Sequence, residues 1–499
     1  MTAVDEQYEK LVSKIRPIHH LSSAKGVLHW DQQVMMPEGG TPARSKQLST
    51  IEGIRHRLLV DDEIDSLLHS LETADLSDEQ RAIVRETRRI HDRASRVPQS
   101  LIEEIRETVT DAHPIWETAR EDDDFEHFAP QLEAIIDLKR QYAEHIDPDE
   151  DPYAVLFADY EPYLPLSTAE SVLESLRDAL IPLIDEINAV DADLTLDTFD
   201  QSFDPATQEA FSETVLDELG YDWEHGRLDR STHPFTSGNV FDARVTSRFG
   251  AEDFLSGLYA TIHEFGHAQY ELGLDQDHFG TPLGQSRDLT VHESQSRFWE
   301  NHVGRTESFW EYMLPIARQY FDPLESVTPR DAYEASNQVY TDNFIRVEAD
   351  ELTYHLHIVI RFEIERDLIS GDLAVEDVPA VWNDKYESYL GIRPDTDTIG
   401  CLQDIHWSGG NIGYFPTYSL GSVLSAQLTE ALESDIGPVD EQVASGDFHT
   451  LMGWMRTNVH QHGCRYTTPD LIEEATGSSY SATPFIDYVT EKYRSLYGL

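Results

Sequence analysis

Apolar residues recur at helical spacing along most of this 499-residue chain, and that limits what it can fold into more than any other feature. In FLSGLYATIHEFGHAQYEL, Phe254, Leu258, Ile262, Phe265 and Leu272 fall at steps of four, four, three and seven, one apolar stripe down a helix. LIEEIRETVTDAHPIW, ESVLESLRDALIPLIDEI and ADELTYHLHIVIRFEIERDLI repeat the rule, with acid outside and Leu/Ile inside. The spacing predicts a mainly α protein. One stretch departs from it: NVFDARVTSRF, residues 239 to 249, alternates and carries β-branched residues, which predicts a strand in a short β-sheet just before the HEFGH helix. Breakers fall at 145–152 (HIDPDEDP), 191–205 and 408–416 (SGGNIGYFP). None resembles a flexible Gly/Ser linker and no internal repeat is present, so residues 1–499 read as one domain, in a single body or in two lobes.

Charge narrows the partners. The chain carries 94 acidic residues against 37 basic ones, only seven of them lysines, for a formal net charge of −57. Such a field repels phosphate backbones and anionic membrane surfaces, and there is no Lys/Arg cluster of the kind that neutralises phosphates, so neither nucleic acid nor membrane is expected as a partner. Excess acid spread along the whole chain with lysine almost absent fits life at high salt, where counterions screen self-repulsion and carboxylates hold hydration. Two cysteines, Cys401 and Cys464, are too few for a disulfide framework and fit a reducing compartment. MTAVDEQYEKLVSKIRP lacks the apolar core of a signal peptide and no run of about 18 apolar residues occurs, which together read as a cytoplasmic protein.

The chemistry concentrates in HEFGH. Residues four apart on a helix lie nearly on one face, so His263 and His267 can direct ring nitrogens at one ion. Glu264, about 100° further round, reaches a water on that ion rather than the ion itself. The competing reading of these five residues is a pair of hydrogen-bonded histidines on an amphipathic helix. A catalytic zinc needs a third protein ligand and an open position. LTVHESQSRFWEN offers Glu293, 26 residues after His267, at the start of a second helical pattern on which Glu293, Arg297 and Glu300 share a face. Glu300 or Asp288 is then available to hydrogen-bond the histidine rings from behind.

HEFGHA followed by HESQSRFWEN is similar to the carboxypeptidase Taq family, the thermostable metallocarboxypeptidases of bacteria and archaea. The resemblance continues through HWDQQVMMPEGG at 29–40, DYEP at 159–162, HPF at 233–235, DARVT at 242–246, IRVEAD at 345–350, GCLQDIHW at 400–407 and HGCRYT at 462–467. It implies a large helical, groove-shaped fold with zinc at the groove floor, cobalt or manganese as substitutes, and a homodimer. It further implies removal of C-terminal residues, one at a time and with broad specificity, from peptides with a free C-terminus. The family's metal ligands map onto His263, His267 and Glu293, and its general base onto Glu264.

An oxyanion donor is expected in GCLQDIHWSGGNIGYFPTYSLG, where glycines let backbone approach a ligand and His406, Tyr414 and Tyr418 supply polar tips. Likeness to related groove-shaped zinc peptidases favours His406 with either tyrosine. A carboxypeptidase must also hold a terminal carboxylate, which a planar guanidinium does best. Arg346, Arg244 and Arg393 are candidates. Arg346 is favoured because IRVEAD matches the family's pattern for carboxylate recognition, with Glu348 and Asp350 near enough to steady it, whereas Arg393 should pair with Asp395 and Asp397. His355 and His357, two apart on a helix, read as structural, and so do His460, His462 and Cys464, since three soft ligands in a short loop before a helix start fall short of a second metal site. Two rival functions share these features: a zinc oligopeptidase cutting inside short peptides, and a non-catalytic peptide-binding protein.

Overall fold

The computed structural model describes residues 2–340 and 342–499. Among these the chain forms twenty α-helices and one three-stranded sheet, as the periodicity predicts. The HEFGH stripe becomes the helix Phe254–Gly273, with Phe254, Leu258, Ile262 and Phe265 buried and Leu272 half-buried near its end. Each fully buried side chain of that kind contributes roughly 1.5–3 kcal/mol by leaving water.

The strand expected at 239–249 is β3 (Asp242–Ser247), the middle strand of the sheet. It pairs parallel with β1 (Gly226–Arg230) and antiparallel with β2 (Thr236–Asn239), so β2 is an edge. Alternation works as expected: Ala243 and Val245 point into the same apolar cluster as Ile262 and Phe265. The sheet thereby lies against the HEFGH helix, with β2 in contact with it.

The expected breaks fall where backbone chemistry puts them. One helix ends at Ile146 and the next begins at Pro152, and a helix starts at Pro205 after the acidic stretch. The Gly-rich loop ends where Pro416 opens the helix Pro416–Ile436. That helix is central. Leu420 and Val423 belong to an apolar cluster that includes Ile358, Trp382 and Trp407, while Leu424, Leu428 and Leu432 belong to the cluster around the HEFGH helix and sheet. A third, smaller cluster holds the N-terminal helices together through Leu11, Ile15, Leu68 and Ile83.

Candidate active site

Three helices meet at the metal ligands because two glycines let backbones touch. A Cβ at Gly266, inside HEFGH, would lie 2.5 Å from the Gln295 carbonyl oxygen and 2.6 Å from Ser296 Cα. A Cβ at Gly421 would lie 2.4 Å from Glu293 Cβ. Glycine inside a helix costs about 1 kcal/mol relative to alanine, so its presence twice here marks close approach rather than flexibility. The result brings His263 Nε2 to 3.6 Å and His267 Nε2 to 3.5 Å from Glu293 Oε2. All three ligand atoms lie within 4.8 Å of one another. Tetrahedral ligands on bonds of about 2.0–2.2 Å stand roughly 3.3–3.5 Å apart, so this donor set fits a divalent ion with little movement.

Polar partners behind the ligands set their chemistry. His263 Nδ1–H donates to Glu300 Oε2 at 2.9 Å, which leaves Nε2 free to ligate. Arg297 Nε donates to Glu293 Oε1 at 2.8 Å and its Nη1 to Glu300 Oε2 at 3.2 Å, while Arg305 Nη2 donates to Glu300 Oε1 at 3.0 Å. Burial alone would raise both carboxyls, but Arg297 with His263 for Glu293, and Arg297 with Arg305 for Glu300, hold them well below the usual carboxylate range. Glu300 sits in a π-helical turn, Phe298–Gly304, which follows the Glu293 helix directly.

Asp288 behaves differently from expectation. Its Oδ1 caps Val291 N–H at 3.3 Å and its Oδ2 accepts from the Thr468 hydroxyl, so it holds the start of the Glu293 helix and touches neither histidine. The His267 ring instead stacks on His292, with centroids 4.4 Å apart, and His292 Nε2 bonds Glu271 Oε1 at 3.1 Å. Burial pushes His267 down to about 3, which keeps its ring neutral as a ligand must be.

Glu264 is buried beside the ligands, and burial raises its pKa against the opposing pull of His263 and Thr236. The Thr236 hydroxyl, on the edge strand β2, lies 2.8 Å from Glu264 Oε2 and 2.7 Å from its backbone carbonyl oxygen. Thr236 gave no signal in the sequence, being 28 residues away on a different element.

The Gly-rich loop and IRVEAD come together in one polar group. His406 Nε2 lies 3.4 Å from the Tyr418 hydroxyl, and the Tyr414 ring packs against both, with centroids 5.6 Å from His406 and 5.3 Å from Tyr418. Burial lowers the His406 pKa to about 4. The partner that steadies Arg346 is not Glu348 or Asp350. Asp404 takes Arg346 Nε at 3.1 Å and Nη2 at 2.8 Å, and also Arg361 Nε at 2.6 Å. Asp350 accepts instead from Leu352 and Thr353 at the start of the helix Thr353–Ser370. Arg346 Nη1 donates to the Tyr354 hydroxyl at 3.3 Å, and Arg297 lies over the Tyr354 ring at 5.1 Å. A continuous series of contacts thus runs from Glu293 through Arg297 and Tyr354 to Arg346.

Other candidates lie elsewhere. Arg244 is forked on its neighbour Asp242 at 2.8 and 2.7 Å and its guanidinium rests 4.3 Å from the Trp30 ring centroid. Arg393 pairs with Asp384 and Glu387, one helix back, rather than with Asp395 and Asp397. His355 and His357 bond Ser419 and Tyr386 in the interior, as structural histidines do. His460 bonds Gln295 and the Cys464 thiol faces the carbonyls of Gln285 and Ser286, and among the described residues His263, His267 and Glu293 form the one group able to hold a metal.

Two helical histidines and a glutamate from a second helix around a fitting gap, with a second buried carboxylate, Glu264, alongside, define a metallopeptidase. The chain belongs to the carboxypeptidase Taq (M32) metallopeptidase family, whose model matches residues 10–493. It is 37% identical over 505 residues to thermostable carboxypeptidase 1 of Thermus thermophilus, covering 98% of this chain and 99% of that one. Carboxypeptidase 1 of Bacillus subtilis is 36% identical, with 99% of each chain covered. Among solved structures, the M32 carboxypeptidase of Deinococcus radiodurans superposes with a TM-score of 0.95 at 38% identity, covering 99% of this chain and 100% of that one. The Pyrococcus furiosus carboxypeptidase gives 0.94 at 37%, covering 98% and 99%. The chain is a metallocarboxypeptidase, a peptide hydrolase that uses a divalent metal ion.

Proposed function

We propose that the enzyme releases C-terminal residues one at a time, with zinc held by His263, His267 and Glu293 and with cobalt or manganese as workable substitutes. The metal, when bound, polarises the scissile carbonyl and lowers the pKa of water towards about 7. Glu264 accepts the proton of the attacking water and returns it to the leaving amine, with Thr236 fixing its carboxylate. His406 and Tyr418, with Tyr414 packed against them, are the donors for the tetrahedral oxyanion. Family likeness supports reading the two large apolar clusters as lobes flanking a groove with the ligand helices at its floor.

One observation carries the exopeptidase direction. Asp404 is shared by two guanidiniums, Arg346 and Arg361, so this buried group holds more positive than negative charge beside His406 and Tyr418. A substrate's terminal carboxylate would balance it. Arg244, matched one to one by Asp242, has no such surplus. Arg346→Ala should weaken kcat/KM for free-carboxylate peptides by about 2–4 kcal/mol, the scale of a lost charge-assisted pair. Amidated peptides should be poor for the parent and lose little more. Equal losses on both would assign Arg346 to the fold, and rapid internal cleavage of amidated peptides would favour the oligopeptidase reading.

The same reading places the enzyme as a homodimer in a salt-rich cytoplasm, supported by family likeness, by −57 of net charge and by two buried free thiols. No helix among the described residues is long and apolar enough to cross a membrane. Lowering salt from 1 M to 0.1 M lengthens the screening distance from about 3 to about 10 Å, so self-repulsion spreads over the whole surface. Melting temperature and activity should fall together on desalting. A melting temperature unchanged across that range would remove salt adaptation from the picture.

A further inference from the structure

A cavity of about 360 Å³ lies beside the metal ligands. His292, which stacks on His267, and Tyr160, whose ring meets Tyr414 at 5.1 Å, form part of its wall, and Tyr414 in turn packs on His406. Arg89 lines it from the helix Asp78–Arg96. Five other arginines on that helix, Arg81, Arg85, Arg88, Arg93 and Arg96, each form an ion pair. Arg89 forms none among the described residues; its Nη2 donates to the Ala158 carbonyl oxygen and its remaining donors are left over.

Among the described half-buried arginines only Arg89 and Arg318 lack a carboxylate, and Arg318 spends its Nε and Nη2 on the Leu324 and Val327 carbonyl oxygens, whereas Arg89 has the single Ala158 carbonyl. The cavity's three acids are already engaged: Glu86 by Arg287 at 2.9 Å, Asp159 by Arg93 and the Tyr142 hydroxyl, and Asp288 by Val291 N–H and the Thr468 hydroxyl. Two further polar atoms on residues of the wall have no hydrogen-bond partner, His19 Nε2 and Arg287 Nε, on residues only 7% and 9% exposed. Burial, with Arg93 beside it, pulls the Arg89 pKa below its ordinary value, and the more distant Asp159 and Glu86 only partly offset this.

We infer that this cavity is a substrate subsite for an acidic side chain upstream of the scissile bond, with the Arg89 guanidinium receiving its carboxylate. The inference rests on the placement of the terminal carboxylate at Arg346: a peptide anchored there and crossing the metal runs on past Tyr414 and Tyr160 into the cavity. Arg89 thereby sets specificity rather than taking part in bond cleavage.

The test uses acetylated tetrapeptides ending in a free alanine, with glutamate or glutamine at each of the three upstream positions, turned over by the metal-loaded enzyme. At one position the parent should favour glutamate over glutamine by at least about tenfold in kcat/KM, the scale of a charge-assisted hydrogen bond. Arg89→Gln should bring that ratio close to one and Arg89→Lys should keep much of it, with metal content and melting temperature recorded for both. Absence of a glutamate preference at every position, or a ratio that Arg89→Gln leaves intact, overturns the inference. So does a rate that shifts equally for both peptides when chloride replaces a bulky sulfonate at constant ionic strength, in the parent but not in Arg89→Gln, because the cavity then holds a free inorganic anion. Amidated versions of the same peptides check the anchoring separately: their internal cleavage sinks the carboxylate placement, whatever the glutamate ratio is.

Discussion

Glu293→Ala is expected to lose stoichiometric metal and activity together. Two histidines four apart cannot hold a catalytic ion alone, and Glu293 Oε2 is the atom that both Nε2 atoms face, at 3.6 and 3.5 Å. The same substitution leaves Arg297, buried and bonded to Glu293 Oε1, with Glu300 as its remaining carboxylate. A fall in stability is therefore expected as well, because a buried charge that loses one partner costs several kcal/mol. Glu293→Gln separates the two effects: its amide oxygen can still accept from Arg297, so the fold should be largely retained while metal affinity falls. Metal content by elemental analysis, beside melting temperature, decides the matter. Tight stoichiometric metal in Glu293→Ala means the third ligand lies elsewhere. His263→Ala and His267→Ala should behave like Glu293→Ala in both metal and turnover.

Glu264→Gln should keep its metal and lose turnover by at least about 10², the range over which a positioned general base contributes. The side chain keeps its size, and the Thr236 hydroxyl, 2.8 Å from Oε2, can still bond the amide, so position is preserved and basicity alone is removed. Single-turnover measurement on the fully metallated variant separates the chemical step from product release. Near-parent turnover there would end the general-base assignment and reopen the non-catalytic reading.

The two outcomes differ in how much of each was legible from the chain alone. The candidate histidine pair was, because His263 and His267 stand at a spacing of four that any helix turns into one face, and Glu293, Arg297 and Glu300 share a face by the same rule, while the choice of Glu293 as third ligand rested on family likeness. What surrounds Glu264 was not. Thr236 reaches it from β2, whose four residues, TSGN, carry no strand pattern of their own, and nothing local to β2 says which helix it will lie against.

Arg346 shows the limit most clearly. Glu348 and Asp350 are its neighbours in sequence, yet Asp350 is consumed in starting the next helix, and the carboxylate that grips the guanidinium is Asp404, 58 residues on. Asp288 failed in the same way, spent on a helix cap and Thr468 instead of a histidine ring. Local competition for a short acidic side chain is strong, because backbone N–H groups at helix starts need acceptors and lie within reach.

The sequence by itself thus determined the helical character, the short sheet before the HEFGH helix, a pair of histidines on one helix face and the anionic surface, all of which follow from periodicity, spacing and composition, while Glu293 entered as a ligand through family likeness. Only the tertiary structure decided that Gly266 and Gly421 would let three helices touch at Glu293, that Asp404 would serve two arginines, and that Arg89 would stand without a carboxylate beside the site. Such pairings join elements far apart in the chain. Their partners are chosen by how the apolar faces pack, and a local pattern of three or four residues carries no information about that.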